Sequence, residues 1–287
     1  MSSEAPNLNR TSSPEELARP INIPPRPSLL MALQHEIGKK DPHVRKIALL
    51  LARDPAIAGN LLSRANSALF NLRRRIATVE DAITLIGLDH CGALVTDLLA
   101  RRALARGPMM MPRFWDVSEK RARGMAYLCA AMKIAPPATA HHFGLFCDIG
   151  MPLMTASFPS YLETLRMVNR LESDGLIALE NARHRINHAV VGAMLAEHWQ
   201  IDGDIIAAIR RHHMPHALQD ERLARQVRGL IAAHLLVDKA IQDYRGEAST
   251  EWRARGALAM GALALGDADV RDIGAELQRL FRQPAHG

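Results

Sequence analysis

The residues of this chain whose types and spacing could do chemistry are histidines and carboxylates in its second half. Ten of its 13 histidines lie from residue 141 onward, among them His141, His142, His184, His188, His198, His212, His213 and His216. Imidazoles hold divalent metals and exchange protons near neutral pH. His184 and His188 are four apart in a helix predicted over Leu176 to Trp199, so they would share one face. Arg185, Ile186 and Asn187 lie between them, so the central Glu of a zinc-protease helix is missing. Cys147 and Asp148 form an adjacent pair of possible ligands, and Glu180 and Asp238 add carboxylates.

Two further groups invite a binding hypothesis. Asn66-Ser67 could meet a ligand, but Asn and Ser at a helix end also bond their own backbone, and that structural reading is the one we favour. Arg73-Arg74-Arg75 is the densest basic cluster. No aromatic residue interleaves with it as a stacking platform for single strands requires, and no helix-turn-helix pattern accompanies it. With a net charge of +6, the chain permits contact with nucleic acid without demanding it, and nucleic acid is not an expected partner. Cys91, Cys129 and Cys147 are too scattered for a zinc ribbon or disulfide framework and read as reduced thiols.

The elements that must position these residues read as helices throughout. The chain is rich in Ala, Leu and Arg, which lose little on entering a helix, and only 4% aromatic. Residues 1–22 form a Ser/Pro-rich tail expected to be disordered. Asp54-Pro55 is a strong helix start, with Thr78 and Asp81 and then Asp202 as further caps. Gly87 ends one helix; another is predicted from Asp89 to Ala105. Gly107-Pro108 marks a seam, which places an N-terminal lobe at 23–108 and a second lobe at 109–245. Ser118 is expected to cap the next helix, and others are predicted over Ala138–Asp148, Pro159–Asn169, Asp204–His213 and Glu221–Tyr244. A C-terminal helical extension, 246–287, closes the chain. No signal peptide and no apolar run long enough to span a bilayer is present, so a cytoplasmic protein with no membrane partner is expected.

Two ordered stretches carry a resemblance. The first runs Asp54-Pro55-Ala56-Ile57-Ala58, Leu62 to Ala68, Ile76, Ala82-Ile83 and Leu85-Ile86-Gly87. The second runs Gly144 to Gly150, Glu180, His188, Val191-Gly192, Trp199 and His212-His213-Met214-Pro215. Together they resemble the HDOD family, the HD-related output domain of bacteria, over roughly Ile23 to Pro215. The resemblance implies an all-α, two-lobed fold, with a second lobe related to HD-domain phosphohydrolases. It also implies a regulator that is not an enzyme and that works beside receiver, kinase or cyclic-dinucleotide-turnover proteins.

An active HD site needs a His, then a His-Asp pair, then a later Asp, to hold metals that activate water. Here the first position is Val117, the second is Cys147-Asp148, and the last falls at Asp238. The HHExxDGxGYP motif of active relatives is absent, since His212-His213 continues as Met214-Pro215. The expectation is therefore no catalytic residue, no metal and no cofactor. Asp148, His188, His212 and Asp238 would be remnant positions. Ligand or partner contacts would come from Asn66, Ser67, Arg73, Arg74, Arg75, Cys147, Asp148, Glu180, His188, His212 and His213. The leading function is a non-catalytic signalling module that binds a protein or small ligand, its partner acting in trans because no receiver or kinase segment is included. A phosphohydrolase with a rebuilt site is the alternative, with a nucleic-acid-binding regulator third.

Overall fold

The computed structural model describes residues 21–67, 74–104, 111–168 and 175–283. The described residues are helical, with no strand among them. The first five helices are α1 (Ser28–Ile37), α2 (Val44–Leu51), α3 (Pro55–Ala65), α4 (Val79–Ile86) and α5 (Leu88–Leu104). They pack as a small bundle, α4 against α2 and α3, and α1 against α2 and α5. The apolar stripes read from the sequence face its centre: Leu30, Ile47, Leu51, Ile57 and Leu61 are fully buried, each worth about 1.5–3 kcal/mol of transfer free energy. Asp54 caps α3 by accepting from the Ala56 and Ile57 amides, and Thr78 caps α4 by accepting from Asp81. Gly87 makes the turn into α5 at φ +89°, a backbone region that favours glycine.

The second bundle begins with α6 (Pro112–Ala131) and α7 (Pro137–Phe146), which pack closely along their length. Then follow α8 (Gly150–Ser157), α9 (Tyr161–Val168), α10 (Leu176–His184), α11 (His188–His198), α12 (Gly203–Arg211), a 3₁₀ turn at Pro215–Leu218, and α13 (Arg225–Arg245). Helix α13 is the spine, touching α6, α7 and α12. The closing helices, α14 (Thr250–Leu263) and α15 (Asp267–Arg282), pack against it, and α15 also reaches α6. Helix α7 joins the bundles by packing on α5, and one contiguous apolar core runs from Ile21 to Phe281. No single helix among the described residues is long and apolar enough to cross a membrane.

Two expectations fail here. The helix expected over Leu176 to Trp199 is two helices, because Arg185 sits at φ +61° and ends α10. Asn187 then starts α11 by accepting from the Val190 amide. His184 and His188 therefore do not share a face: His184 pairs with the Thr164 hydroxyl at 2.9 Å, while His188 points elsewhere. Ser118 is not a cap either. Pro112 supplies the first residue of α6, and Ser118 lies fully buried within it. The seam at Gly107-Pro108 lies outside the described residues, as does the tail through residue 20.

Candidate functional site

The site is assembled where α7 turns into α8. Two close backbone approaches set its frame. A Cβ at Gly144 would lie 2.8 Å from the Ala122 Cα and 2.9 Å from the Arg121 carbonyl oxygen, so α7 rests directly on α6 beside Arg121. A Cβ at Gly150 would lie 2.0 Å from the His188 carbonyl oxygen, so the start of α8 rests on the start of α11. Cys147 and Asp148, between these glycines, are thereby held against Arg121 on one side and His188 on the other.

Arg121 is the cation of the site, only 4% exposed. Its Nη1 lies 2.9 Å from Asp148 Oδ2. Its Nε and Nη2 both donate to Asp238 Oδ1, at 3.0 and 2.9 Å, and Nη1 also donates to the Cys147 sulfur at 3.2 Å. Burial opposes the charge on Arg121, but Asp148 and Asp238 outweigh it and hold its pKa well above the usual value. Burial pushes the Cys147 thiol well up, so it stays protonated. Burial would also raise Asp148, yet Arg121, His188 and His212 hold its carboxyl well below the usual range.

The other oxygen of Asp148 faces histidines. His188 Nε2 and His212 Nε2 each lie 3.3 Å from Asp148 Oδ1, and His213 Nε2 lies 3.1 Å from His188 Nε2. Each of these imidazoles is oriented from its far side. His188 Nδ1 donates to Glu180 at 2.8 Å, and the His188 amide donates to the same carboxylate at 3.1 Å. His212 Nδ1 donates to the Ile209 carbonyl at 2.7 Å. His213 Nδ1 donates to Glu251 at 3.0 Å. Glu180 also accepts from the Tyr161 hydroxyl. Burial works against a charged His188, but Glu180 and Asp148 overcome it and raise its pKa to about 10. Burial and the neighbouring His213 lower His212 to about 4, so its ring is neutral at pH 7.

The closing helix α14 braces the histidine segment. Arg255, 3% exposed, donates to the carbonyls of His212 at 2.6 Å and Met214 at 3.1 Å, and to Glu251 at 2.6 Å. Above Arg121, Asp148 and Asp238 opens a cleft of about 440 Å³, walled by Phe114, Val117, Met151, Leu165 and Ile241.

The metal centre of an active HD site does not fit these residues. Val117 lines the cleft but has no lone pair. Cys147 is a neutral thiol accepting from Arg121, and the guanidinium already lies between Asp148 and Asp238. A different grouping is geometrically able to hold an ion. One donor atom from each of Asp148, His188, His212 and His213 lies within 4.8 Å of the others.

The structure thus gathers Cys147, Asp148, Glu180, His188, His212, His213 and Asp238 in one place. Asn66, Ser67, Arg74 and Arg75 are elsewhere, in the first bundle. Asn66 Nδ2 donates to the carbonyls of Leu62 and Ile76, both at 2.8 Å, and Oδ1 accepts from the Ile76 amide at 2.8 Å. Its side chain closes the loop after α3. Ser67 is buried beside it. Arg74 and Arg75 are exposed, and Arg73 lies outside the described residues.

Residues that sequence reasoning missed are Arg121, Tyr161, Glu251 and Arg255. Arg121 had a readable signal: it stands four residues after Val117, one turn along the same helix. Glu251 and Arg255 had none, because they lie beyond the resembling stretch.

Comparison with known proteins bears on the family and the fold. The HDOD domain family model matches residues 23–215. An uncharacterized protein of Treponema pallidum (strain Nichols) is 27% identical over 203 residues, which are 69% of this chain and 39% of that protein. The chain thus spans well under half the length of this curated relative. Among solved structures, an HDOD domain protein of unknown function from Geobacter sulfurreducens superposes with a TM-score of 0.69 at 18% identity, covering 94% of this chain and 96% of that one. A candidate signal transduction protein from Marinobacter aquaeolei VT8 gives 0.70 at 20% identity, covering 93% and 58%. A candidate phosphohydrolase from Shewanella amazonensis SB2B gives 0.69 at 19% identity, covering 90% of each chain. At these identities the likeness is one of fold. The family match, over well over half of the sequence, goes further: this chain belongs to the HDOD domain family.

Proposed function

We propose that this chain is a non-catalytic signal-transduction module of the bacterial cytoplasm. Its two lobes, 23–108 and 109–245, and the extension 246–287 would present a binding surface and a cleft to a protein partner or small ligand. The partners in this reading are kinases, receiver proteins or proteins that turn over cyclic dinucleotides. One observation carries the reading. The buried Arg121 guanidinium stands between Asp148 and Asp238, where an active HD site needs a water-activating metal. A guanidinium ion-pairs with both carboxylates but cannot lower the pKa of a bound water.

The test is a panel of phosphomonoesters, phosphodiesters and cyclic dinucleotides, assayed with Mn²⁺, Mg²⁺, Fe²⁺ and Zn²⁺. No turnover above that of Asp148→Ala is expected. Metal-stimulated turnover that disappears in Asp148→Ala would instead establish the second reading, a phosphohydrolase with a rebuilt site. That reading draws on the convergence of His188 and His212 on Asp148.

A further inference from the structure

We propose that Asp148, His188, His212 and His213 form a closed binding site for one first-row divalent transition ion, with zinc the best match. Asp238 has no part in it, being engaged by Arg121.

Two observations support the site. The first is orientation. His188, His212 and His213 each commit Nδ1–H to a fixed acceptor, namely Glu180, the Ile209 carbonyl and Glu251. Each therefore turns Nε2 inward, where a bound ion would displace the proton that His188 Nε2 holds toward Asp148. Metal-binding histidines are held in this way, the far nitrogen fixing both tautomer and ring direction.

The second is spacing. Four donors at zinc bond lengths of 2.0–2.1 Å stand about 3.3 Å apart at the corners of a tetrahedron. Asp148 Oδ1 lies 3.3 Å from both His188 Nε2 and His212 Nε2, and His188 Nε2 lies 3.1 Å from His213 Nε2.

The donor set selects the ion class. Imidazole suits zinc, iron, copper and nickel, whereas magnesium and calcium take oxygen donors. Asp148 offers a single oxygen, since Oδ2 is engaged by Arg121. Four protein donors fill a tetrahedral shell, the mark of a structural site, and leave no position for a reacting water. The ion would tie the turn after α7, the start of α11 and the end of α12 into one unit, with α14 holding it through Glu251.

The experiment uses the full, untagged chain purified without chelator. Elemental mass spectrometry is followed by Co²⁺ and Zn²⁺ titration of the chelator-stripped protein. The expected result is about one ion per chain, a tetrahedral Co²⁺ absorption spectrum and a rise in Tm on adding Zn²⁺. Affinity should fall at least about tenfold in Glu251→Gln, the usual loss when an orienting partner is removed, and to background in His213→Ala. Substoichiometric metal with no Co²⁺ spectrum in the folded wild-type chain would overturn the site. So would undiminished binding in a folded His213→Ala chain, which would place the ion on other histidines. If that variant does not fold, the wild-type Co²⁺ spectrum decides. The readout is binding rather than turnover, so its failure is distinguishable from failure of the regulatory reading.

Discussion

Arg121 and Asp238 are 117 residues apart in sequence, yet two guanidinium nitrogens of the first converge on one carboxylate oxygen of the second, at 3.0 and 2.9 Å. The pair is bridged onward to Asp148. Replacing Arg121 with Met keeps the volume and removes the charge, leaving carboxylates buried without their cation. The expected loss is about 3–5 kcal/mol, read as a lower urea midpoint at unchanged slope. A loss below about 1 kcal/mol would mean that water or histidine protons already neutralise the acids.

Gly150 leaves no space for any side chain, since its Cβ would fall 2.0 Å from the His188 carbonyl oxygen and 2.8 Å from the Gly192 amide. Backbone cannot rotate aside as a side chain can. Gly150→Ala should destabilise by about 1–3 kcal/mol or more and displace His188. Gly203→Ala meets nothing within 4 Å and serves as the neutral control. Equal thermal stability of the two variants would contradict the packing.

Asn66 engages its side chain in three hydrogen bonds that close the loop between α3 and α4. Asn66→Ala leaves the Ile76 amide and carbonyl without those partners. A loss of about 1–3 kcal/mol is expected, with the second bundle's ligand or metal binding unchanged. Binding that changed without a stability loss would make Asn66 a contact residue rather than a loop clamp.

His141 and His142 lie on α7 where it packs against α5, with His90 and Arg64 opposite and Asp202 nearby. Burial, reinforced by His90, lowers His142 from 6.5 to about 4 and His141 well below its usual value. The folded state thus prefers the neutral rings. Between pH 6.5 and 4 the unfolded chain binds more protons, so stability is present above about pH 6.5 and is lost as pH falls through that window. Scanning Tm from pH 7.5 to 4.5 should show a decline that the double variant His141→Gln/His142→Gln flattens. Parallel curves for the two proteins would show that these rings do not govern the response.

Much of the helical frame is legible because its signals are local. Asp54, Thr78 and Asp202 are capping residues followed by apolar stripes, and each caps as its type and place imply. The break after His184 is not legible from glycine or proline, because the residue in the left-handed region is Arg185. Only Asn187, a good cap just ahead of the apolar run from Ala189 to Leu195, marked the restart.

The site divides in the same way. Asp148, His188 and His212 are found by order along the resembling stretch, and Asp238 as the later Asp that an HD site needs. Arg121 escapes that logic, because a search for missing ligands does not look for the cation that replaces what they held. His213 needs Glu251 to turn its ring inward, and a partnership across 38 residues leaves no pattern in either segment.

Helix α11 runs from His188 at the site to His198, and the next residue, Trp199, donates its indole N–H to the Pro24 carbonyl at 3.0 Å. Its 11 residues make a rod of roughly 16 Å, anchored at one end to Glu180 and Asp148 and at the other to the segment entering the first bundle. A stiff element of this length spans the distance between residue 24 and the imidazole facing Asp148. The segment that enters the first bundle and the imidazole facing Asp148 are thus held by opposite ends of one helix.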